Sequence, residues 1–433
     1  MKLELFIVRK IAINSKRSFS SFIIRIAVVA VTLSLSTMII ATSMINGFQK
    51  EVRNKVLSFW SHVQVVPFSL SNSLENQGVY RYQDFYENPE LLPEAAHVQV
   101  TAIKGGLLKT ADEFEGVALK GVGDDFDWTN FKPYLKAGDI LQDDTTTARK
   151  GIIISKSTAK RLLLEVDDKV TVAFMGNSIR NRPFRVAGIY ETGMEEFDKK
   201  YALVDIRVIQ ELNNWGPDTV GGFEVFLKQD QLFKSRWKAY FLTFFGAWLS
   251  EDVLMELNKD PLEQIAADLR LSNICLDVQT IKSQYPGIFD WLDLQTMNEL
   301  IILSLMIVVA AINMITALLI LILERTNMIG IMKALGANNA SIRKIFIIYS
   351  SFIIGIGLLV GNVVGIGLCL IQKHFHIITL PQESYFLSYA PIDISWSWIL
   401  LLNLGTVLIT LLLLLIPSAL ISKISPVKAI RFE

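Results

Sequence analysis

Apolar and polar positions fall into two regimes along this chain. Four long stretches are apolar nearly throughout: about Phe22–Asn46, Asn298–Leu323, Ile345–Ile371 and Trp396–Ser418. A bilayer core takes roughly 20 such residues as a helix, so each stretch predicts a membrane span. Between the first and second, over residues 47–292, the pattern breaks up. Short β-rich runs lie at Val63–Pro67, Val98–Ile103, Gly151–Ile154, Lys169–Phe174, Phe184–Ile189 and Phe223–Leu227, separated by turn residues. Helical stretches interleave at Lys156–Leu164, Val208–Asn213 and Pro261–Leu271. The expected fold is a membrane protein with four transmembrane α-helices and a large α+β domain inserted between helices 1 and 2.

Lysine and arginine in the short flanks set the expected orientation. Lys2, Arg9, Lys10, Lys16 and Arg17 precede span one; Arg325, Lys333, Arg343 and Lys344 lie between spans two and three; Lys423, Lys428 and Arg431 follow span four. All three basic flanks are cytoplasmic if the termini are inside and 47–292 outside. The expected segments are then a cytoplasmic amphipathic segment 1–21, span one 22–46, the external domain 47–292, and span two 293–323 with its external extension. A cytoplasmic loop 324–344, span three 345–371, a short external loop 372–395, span four 396–418 and a cytoplasmic tail 419–433 complete the chain. Span one exceeds the apolar length of a signal peptide and is expected to stay uncleaved.

Composition narrows the function classes. Lysine plus arginine equals aspartate plus glutamate at 42 each, so charge gives no case for nucleic-acid binding. Cys275 and Cys369 fall in the domain and in a span, and with scattered His62, His97, His374 and His376 they give no disulfide framework or metal site. Gly151–Thr158 resembles a phosphate-binding loop, but Ser155 replaces the second glycine and the segment lies outside. No dinucleotide fingerprint, nucleophile elbow or zinc-protease motif is present, so the chain is expected to be non-catalytic. Acidic residues are essentially absent from the spans, which argues against ion-coupled transport.

Gly357, Gly361 and Gly365 recur at four-residue spacing in span three, as a close-packing face does, with Gly355 and Gly367 beside them. Asn313, Asn362 and Asn403 read as interhelical glue. The stretch Gln231–Glu256 is dense in aromatics and reads either as a buried helix or as a surface resting on the outer bilayer face or a partner.

Four motifs carry a family resemblance. Met44-Ile-Asn-Gly-Phe48 with Glu51 resembles the motif after span one of lipoprotein-releasing permeases. Glu324 to Ala337, with Ile329-Gly330-Ile-Met-Lys333-Ala334-Leu335-Gly336, resembles the cytoplasmic signature of the wider ABC permease family, which includes the macrolide exporter and the division permease. Asn327 stands where that family usually has an acidic residue. The tail Pro426–Glu433 is similar to the family's closing motif, and Gln279–Trp291 to the run into span two of the lipoprotein-releasing subunits. The resemblance covers nearly the whole chain. Without a fused ATPase domain, and with a large domain after span one, the chain is identified as resembling the lipoprotein-releasing ABC transporter permease subunits.

That resemblance implies a multi-pass protein of the bacterial inner membrane, with its large domain in the periplasm. The partners it implies are a cytoplasmic ABC ATPase dimer, a second permease copy or paralogue, lipoprotein substrates, a periplasmic lipoprotein carrier and membrane lipids. ATP and Mg belong to the partner ATPase, and this chain is expected to bind no cofactor or metal. Glu324, Ile329, Gly330, Ile331, Met332, Lys333, Ala334, Leu335 and Gly336 are the expected coupling residues, with Gly336 closing the helix as a C′ residue. Met38, Ile39, Thr42, Met44 and Phe48 of span one, and Leu300, Leu303, Leu305, Met306 and Ala310 of span two, are the expected acyl-cavity residues. Phe174, Met175, Ile179, Arg180, Arg182 and Pro183 flank a Gly176-Asn177 turn expected to dock the carrier. Two alternatives share the architecture: a permease that regulates a cell-wall hydrolase by mechanotransmission, and an amphiphile or macrolide-type export permease.

Overall fold

The computed structural model describes residues 19–68, 77–110, 113–141, 149–175, 179–228, 261–272 and 276–418. The aromatic stretch 231–256, the Gly176–Ser178 turn, Cys275, most of the N-terminal segment and the tail lie outside the described residues. By packing, the described chain forms two units. One runs up to Lys50, over Leu292–Leu380, and from Tyr389 onward; the other comprises Glu51–Trp291 with Pro381–Ser388.

The helical unit is built on four helices long and apolar enough to cross a membrane: α1 (Phe19–Phe59), α5 (Pro286–Glu324), α7 (Asn339–Phe375) and α8 (Trp396–Ser418). A short helix, α6 (Thr326–Ala334), connects α5 to α7. Three of the long helices outrun their apolar stretches. Helix α1 continues past Asn46 because Val52, Val56 and Phe59 keep one buried stripe among polar neighbours. At the head of α5, Ile288, Phe289 and Leu292 are buried in the same way, and Pro286 occupies the helix start, where a missing N–H costs nothing.

Glycines on α7 bring it against α1. A Cβ on Gly357 would sit 2.8 Å from the Val31 side chain, one on Gly361 3.1 Å from Leu35, and one on Gly365 3.2 Å from Ile39. Gly355 and Gly367 face open space. The backbones come close enough for Thr32 Oγ1 to donate to the Gly357 carbonyl at 3.2 Å. Asn362 and Asn403 exchange side-chain hydrogen bonds at 2.8 and 3.0 Å, joining α7 to α8. Both features follow the expected pattern of small-residue packing with amide glue.

The second unit is α+β. Its strands are β1 (Val63–Pro67), β2 (Val79–Tyr80), β3 (Ala95–Lys109), β4 (Phe114–Val122), β5 (Leu135–Gly138), β6 (Gly151–Ser155), β7 (Lys169–Phe174), β8 (Arg180–Tyr190), β9 (Tyr201–Asp205), β10 (Thr219–Val220), β11 (Gly222–Leu227) and β12 (Leu276–Thr280). Helices α2 (Lys156–Arg161), α3 (Ile206–Asn213) and α4 (Pro261–Ser272) interleave with them. Strands β3, β4, β9, β6, β8 and β7 pair in a closed ring, since β7 pairs with both β8 and β3. Closure removes the open edges of a sheet. The other end of β3 pairs with β11, which leads through β1 to β12, so one long strand serves both the barrel and an open sheet. Gly106 makes the closing seam possible, because a Cβ there would meet Val172 Cγ1 of β7 at 2.7 Å.

Candidate functional site

Helix α6 is the first candidate. A Schellman motif ends it: Gly336 N–H donates to the Lys333 carbonyl at 3.0 Å and Ala337 N–H to the Met332 carbonyl at 2.9 Å. The motif needs a left-handed residue, and Gly336 supplies it at φ 90°. Ile329 and Gly330 are buried against the chain's own helices. Ile331 is 53% and Leu335 82% exposed, and Ala334 and Gly336 are exposed with them, while Met332 and Lys333 are half-buried. Ile329 was expected as an apolar anchor for an outside partner. It is a correction that Ile329 packs inward, leaving Ile331 and Leu335 as the free apolar pair. Glu324, at the end of α5, lines a small cavity with Ile24, Leu321 and Ser350.

The second candidate is the surface of α1 and α5. Outward stripes run along both: Phe22, Ile26, Val29 and Leu33 on α1, and Leu294, Met297, Ile301, Leu305, Val308 and Ile312 on α5. Of the residues expected to line an acyl cavity, Leu305 is 55% exposed, and Met44, Leu300 and Met306 are half-buried. Met38, Ile39, Thr42, Phe48, Leu303 and Ala310 are buried among the chain's own helices. Their burial is a correction, and for Ile39 the physical cause is visible: the small-residue face of α7 packs on the side of α1 that carries it. Glu299 was overlooked among the apolar residues of α5 and is fully buried there. Four residues toward the domain from Leu303, hydropathy alone gives it no signal.

The third candidate is the β7–β8 hairpin. Its strands pair from Lys169↔Arg185 to Phe174↔Arg180, so the hairpin expected from sequence is present. Met175 and Ile179 at its end are 67% and 73% exposed, and Pro183 is also exposed. Phe174 is buried in the domain core, which corrects its expected place on the docking surface. Arg182 pairs with Glu211 at 2.7 Å and Arg180 donates to the Leu212 carbonyl at 3.2 Å. The two arginines therefore hold the hairpin to α3.

Sequence gave no hint of the ionic centre of the domain. Lys120 on β4 and Glu224 on β11 form an ion pair at 2.7 Å with both side chains buried. Lys120 also donates to the carbonyl of Phe59, the last residue of α1, and lies 4.4 Å from the centroid of the Trp60 ring. Gln99 donates to the other Glu224 oxygen at 2.7 Å. Burial pulls the Lys120 ammonium below its usual range, and Glu224 offsets part of that pull. Around Phe59 stand Phe131, Tyr190, Phe197 and Tyr201, with Phe197 stacked at 5.6 Å.

His62 is buried next to this centre, and its Nδ1 accepts the Leu227 N–H at 3.1 Å. Burial, with Arg53 adding to it, lowers its pKa from 6.5 to about 4. A ring that is harder to protonate folded than unfolded costs stability as pH falls. Stability should be full above about 6.5 and lost progressively toward 4, by about 3 kcal/mol. Melting of the full chain at pH 7 and pH 4.5 should show that slope, and His62→Gln, whose amide oxygen can still accept, should flatten it. Equal slopes in both proteins would contradict the assignment.

The chain thus carries helices of membrane length, a barrel-bearing domain between the first two, and a capped helix between the second and third. A model for the FtsX-like permease C-terminal region matches residues 300–426, and one for the MacB-like periplasmic core domain matches residues 26–232. The two matches together cover most of the chain, its domain by the MacB-like model and its last three long helices by the FtsX-like one. The chain is similar end to end to the lipoprotein-releasing system transmembrane proteins. It is 25% identical to LolC of Neisseria meningitidis serogroup B over 98% of both chains. It is 23% identical to LolE of Haemophilus influenzae over 96% of both. Among solved structures it resembles the periplasmic region of MacB from Actinobacillus actinomycetemcomitans, at 14% identity and a TM-score of 0.32, over 52% of this chain and 91% of that one.

Proposed function

We propose that this chain is the permease subunit of an ATP-driven ABC transporter. In this reading it extracts lipoproteins from the inner membrane and hands them to a periplasmic carrier. The observation that carries the reading is the end-to-end similarity to lipoprotein-releasing transmembrane proteins, with both domain and spans covered.

Each part of the structure takes a share of the work. Helix α6 presents Ile331 and Leu335 to a groove on a separate cytoplasmic ATPase, which binds ATP and Mg and supplies the energy. The outward stripes of α1 and α5 give acyl chains an apolar route beside a second permease copy or paralogue. Burial is worth about 0.8 kcal/mol per CH₂, so three chains of roughly 16 carbons resist thermal extraction by on the order of 30–40 kcal/mol at most. Only a protected route brings that within reach of ATP. Met175 and Ile179 offer the carrier an apolar hairpin tip.

The coupling step is tested at α6. Leu335→Asp, at an exposed position, leaves the fold intact and places a desolvated charge in the groove, so ATPase co-purification with the full chain should fall by about tenfold or more. Undiminished co-purification in an Ile331→Asp/Leu335→Asp double variant would sink this role for α6.

A further inference from the structure

Arg325 follows α5 directly and is the N-cap of α6. Its side chain is half-buried, and its Nε–H is buried with no acceptor among the described residues. An arginine stays protonated, so this donor cannot be removed by titration. Buried donors nearly always have a partner. The donor calls for an acceptor from another molecule, and the positive charge calls for an anion. A second feature favours negative charge at the same point. The Arg325 side chain gives α6 no cap, and the N-terminal end of a helix attracts anions.

An apolar track starts beside this arginine. Tyr349 of α7 lies within electrostatic reach of Arg325. Three residues on stands Phe352, followed by Ile356, Leu359 and Val363, all of them exposed. Steps of four, three and four residues keep these side chains on one face of the helix. From Phe352 to Val363 the helix rises about 16 Å, close to half of a hydrocarbon core of about 30 Å. A strip as deep as one leaflet, with a guanidinium at its end, matches the shape and charge of a phospholipid. A soluble anion would leave the strip uncovered.

By the basic flanks, this end of α5 and α7 faces the cytoplasm. We propose that Arg325 seats the phosphate of a phospholipid of the cytoplasmic leaflet, with an acyl chain lying along Phe352, Ile356, Leu359 and Val363. Basic sites at the cytoplasmic ends of membrane helices hold lipid headgroups in this way. The site is on a helix other than the two that border the proposed acyl route, and it stands whether or not the chain transports lipoproteins.

The test uses the full chain in a non-ionic detergent, with dioleoyl phosphatidylglycerol titrated in and the bound lipid read by native mass spectrometry. Arg325→Gln should weaken binding by about tenfold. Arg343→Gln removes the same charge nine residues before Phe352, about two and a half turns away and so on the opposite face of α7. It should leave binding nearly unchanged. Equal losses in both variants, or none in either, would overturn the seat. Dioleoylglycerol has the same chains and no phosphate, and should bind far more weakly; equal binding would overturn the role of the phosphate. Inorganic phosphate should not displace the lipid, and displacement would mean a free-anion site instead. Undiminished lipid binding by Arg325→Gln, with weaker co-purification of the ATPase, would give the arginine to that partner and overturn the proposal. Should Arg325→Gln fail to fold, the unaltered chain decides. A photoreactive group on the headgroup should label the peptide that carries Arg325, and one on the acyl chain the peptide that carries Phe352 to Val363. Labelling confined to other peptides would overturn the site.

Discussion

Gly357→Leu should strongly destabilise the membrane helices, and Gly355→Leu, on the same helix two residues away, should not. The difference is geometric. A Cβ at Gly357 would lie 2.8 Å from both Val31 Cβ and Cγ1, and 3.3 Å from the Val28 carbonyl oxygen, whereas nothing stands within 4 Å of one at Gly355. Neither Val31 Cβ nor the Val28 backbone is a flexible chain end, so α1 as a whole must move away. Overpacking of this kind costs about 1–3 kcal/mol, and more where backbones are in contact. Separation of α1 from α7 also loosens the Thr32 hydrogen bond to the Gly357 carbonyl. Thermal melting of the detergent-solubilised chain should show a large drop for Gly357→Leu and almost none for Gly355→Leu or Gly367→Leu. Equal drops in all three would show that the α1–α7 contact is not the one described.

Lys120→Met should be among the most damaging single changes in the external domain. It leaves the Glu224 carboxylate buried without its cation and strips the Phe59 carbonyl of its donor. Breaking a buried pair from one side costs about 3–5 kcal/mol. Lys120→Met/Glu224→Gln should recover part of that loss, because the amide can keep the Gln99 contact without a charge to desolvate. Chemical denaturation of the four proteins in the cycle gives the coupling. A double variant that is as unstable as the two single losses added together would mean that the pair does not act as a unit.

The parts of the fold legible in sequence are those where burial follows a simple period. The spans announce themselves by apolar length, and strands β1, β7 and β11 by short β-rich runs. Legibility failed where polar residues are buried by specific partners. Strand β4, with Gly116 and Lys120, is not among the expected β-rich runs, and Lys120 is almost completely buried in it. Strand β3 was expected over Val98–Ile103 and runs from Ala95 to Lys109, because pairing with β4 and β7 extends it through Gly105 and Gly106. Helix α1 was expected to end near Asn46, where polar residues begin, although Val52, Val56 and Phe59 continue its buried face.

The candidate site divides along the same line. Gly336 as a helix stop could be read from its neighbours. The inward turn of Ile329, the burial of Phe174 and the burial of four of α1's five expected cavity residues could not, since each depends on which face a distant element covers. A Cβ on Gly47 would lie 2.6 Å from the Pro391 carbonyl oxygen, and no local pattern in the chain announces that close approach.

The most direct measurement of the transport reading is photocrosslinking in cells, with a reactive amino acid at Met44 and at Leu305, where side chains reach the helix surface. Trapping should be done with ATP hydrolysis blocked, and Leu303, buried in the helical unit, is the control. The account predicts acylated lipoproteins captured at Met44 and Leu305 and little at Leu303. Phospholipid alone at the outward positions, with a cell-wall hydrolase captured through the external domain, would contradict it.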